Sequence, residues 1–317
     1  MIEPTLNYVY CPGPAAVGAA GAAPAAAGHR MAYWEWNATG NSAHPHVIVC
    51  VHGLSRQGRD FDVVARRLSQ HARVICPDVV GRGRSDWLAD AQGYQIPVYA
   101  ADMLALLAQV HETCAIGTLD WVGTSMGGLI GLAVCGQPGL PLPAPVRRMV
   151  LNDVGPAIEW QAVQRIGTYL GRNARFGTVQ QAADALWQIS QSFGPHTPHE
   201  WLALSRAMVR ADADGGWVLH YDPAIALPFR AVTEETARAG EALLWELYDR
   251  IQSRVLLLRG AQSDLLSQET AQAMGRRGPQ AQLVEFANVG HAPTLVAEDQ
   301  VAVVEQFLLG VPAEELA

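Results

Sequence analysis

Along the chain, short runs of Val, Ile and Leu recur between longer stretches whose apolar positions fall at helical spacing. The runs at 46–52, 73–76, 119–123, 148–151, 254–258 and 282–286 show little polar alternation. That is the pattern of strands buried on both faces of a parallel sheet. Helical periodicity fills 60–70, 98–110, 126–135, 268–277 and 298–309. Strand and helix in alternation predict an α/β fold: a mostly parallel, twisted sheet with helices on both faces. Residues 156–245 interrupt the rhythm with amphipathic helical stretches broken by Gly194-Pro195, Thr197-Pro198 and Gly215-Gly216, and with no convincing buried strand. A crossover between parallel strands needs only a dozen or so residues, so this insertion is expected to form a second, mostly helical layer, such as a lid over the sheet. The core is then 29–155 and 246–317. The segment 11–28 is almost wholly Ala, Gly and Pro, and residues 1–28 are expected to be a flexible extension.

Composition narrows the function classes. The 317 residues carry 22 basic against 30 acidic side chains, a net charge of −8, with half of all residues hydrophobic. An acidic balance argues against a nucleic-acid or anionic-membrane partner. Every basic residue is arginine. Schiff-base chemistry and the lysine of a phosphate-binding P-loop are therefore excluded. The cysteines Cys11, Cys50, Cys76, Cys114 and Cys135 are odd in number with no C-x-x-C pair, as expected of reduced thiols in a cytoplasmic protein. No uninterrupted apolar stretch of about 18 residues suggests a transmembrane helix, and the start Met1-Ile2-Glu3-Pro4 lacks the basic, then apolar, pattern of a secretory signal. The composition does not choose an oligomeric state.

The sharpest local signal is Gly123-Thr124-Ser125-Met126-Gly127, between an apolar strand and a helical stretch. In that context G-x-S-x-G makes a tight turn that projects the serine hydroxyl while small neighbours relieve crowding. A nucleophilic serine needs a base, and the base an orienting acid. His291, in Asn288-Val289-Gly290-His291-Ala292-Pro293, follows the last strand, and Asp264 follows the strand before it. Both fall at the C-terminal edge of the sheet, where open α/β proteins bind ligands. The chain order Ser125, Asp264, His291 is the order that accompanies this serine turn. Asp153, after the strand at 148–151, is the alternative acid; its other role is to hold the entry to the insertion. His52-Gly53-Leu54 ends a strand too, so the amides of Leu54 and Met126 are candidates for an oxyanion hole, with His52 shaping the loop. Gly81-x-Gly83 lacks the third glycine of a dinucleotide fingerprint. His44-Pro45-His46 and His196-x-x-His199 lack the spacing of a metal cluster and are expected to be surface loops, and a serine mechanism through an acyl-enzyme released by water needs no metal or organic cofactor. Among the aromatics of the insertion, Trp160, Trp201 and Trp217 are candidates to line a substrate pocket.

Together the His52-Gly53 turn, the loop Pro77-Asp78-Val79-Val80-Gly81-Arg82-Gly83-Arg84-Ser85, the serine turn, Asp264 and His291 resemble the α/β-hydrolase family over roughly residues 30 to 312. The resemblance implies that the insertion is a cap domain over the active site. The stretches 52–62 and 81–87 resemble bacterial intracellular esterases, including hydrolases of 3-hydroxybutyrate oligomers. Motifs and resemblance together lead us to expect a serine esterase for a small to medium, largely apolar acyl group, with a small-molecule ester as its partner. Ser125 in place of a nucleophilic Asp argues against the dehalogenases and epoxide hydrolases of this fold. Two other readings use the same elements: carbon–carbon bond or peroxide chemistry on the same triad, and a ligand sensor without turnover.

Overall fold

The computed structural model describes residues 2–13 and 28–310. The strands are β1 (Thr5–Cys11), β2 (His29–Trp36), β3 (His46–Val51), β4 (Arg73–Asp78), β5 (Thr118–Thr124), β6 (Val146–Asn152), β7 (Arg175–Phe176), β8 (Val209–Ala211), β9 (Trp217–Leu219), β10 (Arg254–Gly260) and β11 (Gln282–Phe286). The helices are α1 (Asp62–Leu68), α2 (Ile96–Thr113), α3 (Met126–Gly136), α4 (Trp160–Tyr169), α5 (Val179–Ser190), α6 (Pro198–Ala207), α7 (Ala226–Arg230), α8 (Glu234–Asp249), α9 (Gln268–Met274) and α10 (Glu298–Leu309). Eight strands form one sheet in the order β1-β2-β4-β3-β5-β6-β10-β11. The β1–β2 and β2–β4 pairs are antiparallel, and every other neighbour is parallel.

Both faces of the sheet are apolar because successive side chains of a strand point to opposite sides. On one face Val47, Val49, Trp121, Met149 and Leu257 pack against Met103, Leu106 and Leu107 of α2 and Ile130 of α3. Their neighbours Ile48, Val122, Val150, Leu256 and Leu258 meet Val64 and Leu68 of α1 and Val301, Val304 and Leu308 of α10 on the other. Two buried faces explain why these strands read as continuous apolar runs.

Two expectations need correction. Residues 5–11 are not a loose extension but strand β1, registered on β2 from Thr5 opposite Glu35 to Cys11 opposite His29. Its sequence, TLNYVYC, alternates: Val9 and Cys11 are buried while Tyr8 and Tyr10 face solvent. The Ala/Gly/Pro bias that suggested flexibility begins only after this strand, and 14–27 lie outside the described residues. The insertion is also not purely helical. β7, β9 and β8 make a small antiparallel sheet, in that order, beside α4 to α8. Strands of two or three residues are too short to show a period in sequence.

The insertion has its own small core of Ala183, Leu186, Trp201, Leu204 and Met208. Polar ties seat it on the sheet. The Gly83 amide donates to His220 O (2.9 Å), Tyr94 donates its hydroxyl to Asp222 (2.5 Å), and His196 Nε2 lies 2.8 Å from Thr294 Oγ1.

Candidate active site

The turn from β5 into α3 carries Ser125 at φ 51° and ψ −116°, a conformation that a non-glycine residue adopts only when its surroundings impose it. The surroundings here are backbone. A Cβ on Gly127 would land on the carbonyl oxygen of Val51, and one on Gly123 on the carbonyl of Gly127. Without side chains at those two places, α3 starts hard against β3 and the turn stays tight. Ser125 N donates to Asn152 O (3.0 Å), and Ser125 O accepts from Gly128 N (2.8 Å), so the residue is pinned at both ends while its hydroxyl stays at the protein's internal surface.

His291 reaches that hydroxyl from the loop after β11: its Nε2 lies 3.0 Å from Ser125 Oγ. Its Nδ1 lies 2.7 Å from Oδ2 of Asp153. A carboxylate only accepts, so Nδ1 carries the proton and Nε2 is left to accept from the serine. Asp153 is fully buried at the end of β6, with φ 55°. Two further donors hold its carboxylate, the Gly260 amide on Oδ1 (2.9 Å) and the Ser263 hydroxyl on Oδ2 (2.6 Å), while its own amide donates to Leu258 O (2.8 Å). Nearby, the Asn152 amide group donates to Thr124 Oγ1 (3.0 Å) and Pro293 O (2.8 Å), tying the loop that carries His291 to β5 and β6.

Asp264 is elsewhere. It is about half exposed, and its two oxygens are taken by Arg165 of α4, Nε to Oδ2 at 2.7 Å and Nη2 to Oδ1 at 3.0 Å. The residue that faces His291 is the one on β6, and the β10 loop contributes Ser263 in its place. Sequence order puts both aspartates at strand ends. What separates them is the left-handed turn at Asp153, which sends that carboxylate inward, and the guanidinium arriving from the insertion, which holds Asp264 outward.

His52 is wholly buried. Its Nε2 accepts from Val79 N (2.9 Å), so its Nδ1 donates to Gly53 O (2.7 Å). Burial pushes its pKa down to about 3, and it stays neutral. The Gly53 carbonyl also accepts from Arg56 N (3.1 Å). In a trans peptide the N–H points opposite to the C=O. Pinning Gly53 O therefore aims the Leu54 N–H the other way. The next carbonyl, Leu54 O, is fixed by Arg82 Nε (2.8 Å), from a fully buried guanidinium that also donates to Val80 O (2.7 Å) and the Tyr99 hydroxyl (3.0 Å). The N–H groups of Leu54 and Met126 have no acceptor among the described residues.

Ser125 and His291 open onto a cavity of ≈ 90 Å³, walled by Leu54, Ile166, Tyr169, Leu186, Phe193 and Met208. The three tryptophans expected at the pocket do not line it. Trp201 is spent inside the insertion, its Nε1 donating to Ala183 O (2.8 Å). Trp217 on β9 lines a separate cleft with Arg206 and His220, and Trp160 is half-buried at the start of α4. The smaller Leu186, Phe193 and Met208 take the wall beside Ile166 and Tyr169 because the C-terminal halves of α4 and α5, the segment after α5 and the residue that closes α6 overhang the serine turn, while Trp160 and Trp201 sit nearer the N-terminal ends of their helices. The sequence does not show the roles of Ser263, Asn152 and Arg82: Ser263 and Asn152 act through partners far away in the chain, and the loop motif that contains Arg82 does not show that its guanidinium reaches Leu54 O.

Among the described residues one group of potential metal ligands lies apart from this cavity: Cys11, His29 and Asp102, all buried. His29 Nε2 is 2.9 Å from Asp102 Oδ2. Burial, reinforced by the Asp102 charge, pushes the Cys11 thiol up, so it stays protonated and the group behaves as a hydrogen-bonded part of the core. His46 and His196 are likewise engaged in protein contacts, His46 with Asp120 (2.7 Å).

Serine turn, late histidine and mixed sheet with an insertion after β6 together define a family, and residues 48–306 match its model, described as the alpha/beta hydrolase family. The chain belongs to the alpha/beta hydrolase family. A 3-hydroxybutyrate-oligomer hydrolase of Cupriavidus necator is 48% identical over 311 residues, covering 97% of this chain and 99% of that protein. Among solved structures, an alpha/beta hydrolase from Novosphingobium aromaticivorans is 32% identical with a TM-score of 0.79, covering 98% of this chain and all of that one. A putative hydrolase from Rickettsia typhi, 25% identical, superposes at 0.82 over 97% of this chain and 100% of that one.

Proposed function

We propose that this alpha/beta hydrolase cleaves carboxylic esters through a Ser125–His291–Asp153 triad, with 3-hydroxybutyrate oligomers as substrate. The carrying observation is the pair of hydrogen bonds from Ser125 Oγ to His291 Nε2 (3.0 Å) and from His291 Nδ1 to Asp153 Oδ2 (2.7 Å). The substrate comes from the relationship to the Cupriavidus enzyme along nearly the whole of both chains. Ser125 Oγ attacks the ester carbonyl as His291 takes its proton. Asp153 holds the imidazole in the required tautomer and stabilises the imidazolium. The Leu54 and Met126 amides, without internal acceptors among the described residues, stabilise the oxyanion. His291 returns the proton to the departing alcohol, an acyl-enzyme forms, and water releases it by the same steps in reverse. The insertion serves as a cap that closes the cavity over Ser125. Five free cysteines support a cytoplasmic location, and no described helix is long and apolar enough to cross a membrane.

Ser125→Ala tests the nucleophile. Turnover of both p-nitrophenyl butyrate and the 3-hydroxybutyrate dimer is expected to fall by at least about 10⁴-fold, the scale seen when a triad serine is lost. Turnover retained within tenfold would remove Ser125 from the reaction.

A further inference from the structure

The cavity at Ser125 has an unexpected electrical character for a protein of net charge −8. Its walls are apolar, yet Arg56 and Arg165 line it and, among the described residues, no Asp or Glu does. Each arginine has a carboxylate partner, Asp60 for Arg56 and Asp264 for Arg165, but neither carboxylate lines the cavity. Both arginines thus border the cavity while their carboxylate partners lie outside its lining, Asp60 in the adjoining pocket that shares Arg56 and Phe193. Arg56 is held fast: its pair with Asp60 is mostly buried and its guanidinium lies 5.8 Å from the centre of the Phe193 ring. Arg165 is the adaptable one. Its side chain is 38% exposed and that of Asp264 46%. Asp264 occupies Nε and one edge of Nη2, and the Tyr169 hydroxyl, on the same helix and also lining the cavity, interacts with the guanidinium; a five-donor fork still has donors beyond these two groups for another acceptor. A pair so open to water contributes little by itself, so the guanidinium can turn from Asp264 to a second carboxylate without losing much stability.

We propose that Arg165 binds the free carboxylate of the substrate's leaving portion, making the enzyme selective for acid-terminated esters. This rests on the reading of Ser125 as nucleophile. In a linear 3-hydroxybutyrate oligomer, the terminal carboxylate stands one methylene beyond the carbon bearing the last ester oxygen. Arg165 and Ser125 line one cavity, so a carboxylate held by Arg165 directs the last ester to Ser125. Ser125 Oγ bonds to its carbonyl carbon, the C–O bond breaks, and the serine proton passes through His291 to the leaving oxygen. A 3-hydroxybutyrate monomer departs with its carboxylate intact. Water then splits the acyl-enzyme, its proton going through His291 to Ser125 Oγ, and the shortened oligomer leaves as a carboxylic acid. One water is consumed per ester, and shortening proceeds from the carboxyl end.

The test compares kcat/KM for the 3-hydroxybutyrate dimer as free acid and as its methyl ester, in the full chain. Wild type is expected to favour the acid at least tenfold, less so at high salt. Arg165→Gln should cut that ratio about tenfold, and Arg165→Lys should keep part of it. Asp264→Asn, which frees the guanidinium, should hold or raise it. A purely structural Arg165–Asp264 latch predicts instead that R165Q and D264N lower both substrates alike with the ratio unmoved, and that result overturns the proposal. So does a wild-type ratio near one. With a trimer whose hydroxyl end is acetylated, free monomer should appear first; acetylated monomer first would contradict carboxyl-end recognition. Failure of the nucleophile reading looks different: p-nitrophenyl butyrate would then be turned over equally by wild type and S125A, whatever the Arg165 variants do.

Discussion

Among single residues, the two aspartates decide how the site works. Asp153 is buried, held by the Gly260 amide and the Ser263 hydroxyl, and 2.7 Å from His291. Asp264 is half exposed and occupied by Arg165. Asp153→Asn keeps the shape but leaves the imidazole with a partner that can donate, which favours the wrong tautomer. It should lower kcat on p-nitrophenyl butyrate on the order of 10³- to 10⁴-fold. Asp264→Asn should cost less than about tenfold on the same neutral ester. Steady-state kinetics of the two variants side by side checks this, and equal losses would contradict the geometry. Ser125 and His291 are legible in the sequence because a turn motif and a strand end mark them locally. The choice of acid is not, because both aspartates carry the same local signal and only the contacts across 107 and 138 positions of sequence separation distinguish them.

Between elements, the end of β3 and the loop after β4 are fastened by His52, whose ring spans Val79 N and Gly53 O. Burial holds its pKa near 3 against the ordinary 6.5. In the unfolded chain His52 therefore takes up a proton as pH drops below about 6.5, while the folded chain refuses it until about pH 3. The stability it contributes is fully present above 6.5 and is lost as pH falls towards 3, with a slope of up to about 1.4 kcal/mol per pH unit. His52→Gln can still accept from one amide and donate to one carbonyl but does not titrate. The stability gap between wild type and H52Q, measured by urea unfolding at pH 7, 6, 5 and 4, should narrow as pH falls. A gap independent of pH would mean that His52 is not held neutral. Legibility follows length for the elements. The long parallel strands and their helices are readable because burial on both faces imposes a composition, whereas β7, β8 and β9, of two or three residues each, impose none.

For the molecule as a whole, the sheet's outer edge and the insertion matter most. β1 caps the edge of β2 along its full register and buries Val9 and Cys11. Deleting residues 2–13 exposes an unpaired strand edge and should remove about 3 kcal/mol or more of stability, judged from two buried side chains and the lost ladder. Thermal unfolding and light scattering check this: a lowered midpoint with association through the bared edge is expected, and an unchanged midpoint would mean that β1 is dispensable. The alternating α/β core, the serine turn and the histidine after the last strand can all be read from the amino-acid order. Each is encoded in neighbours a few positions apart, through periodicity, glycine placement and strand-end position. It takes the folded chain to choose Asp153 over Asp264 as the partner of His291, to wall the cavity with Leu186, Phe193 and Met208 in place of the tryptophans, and to bring Arg165 to its edge. One cause lies behind all three. They depend on contacts between segments far apart in the chain, whose partners are chosen by packing and backbone direction, and no local pattern records which distant group will arrive.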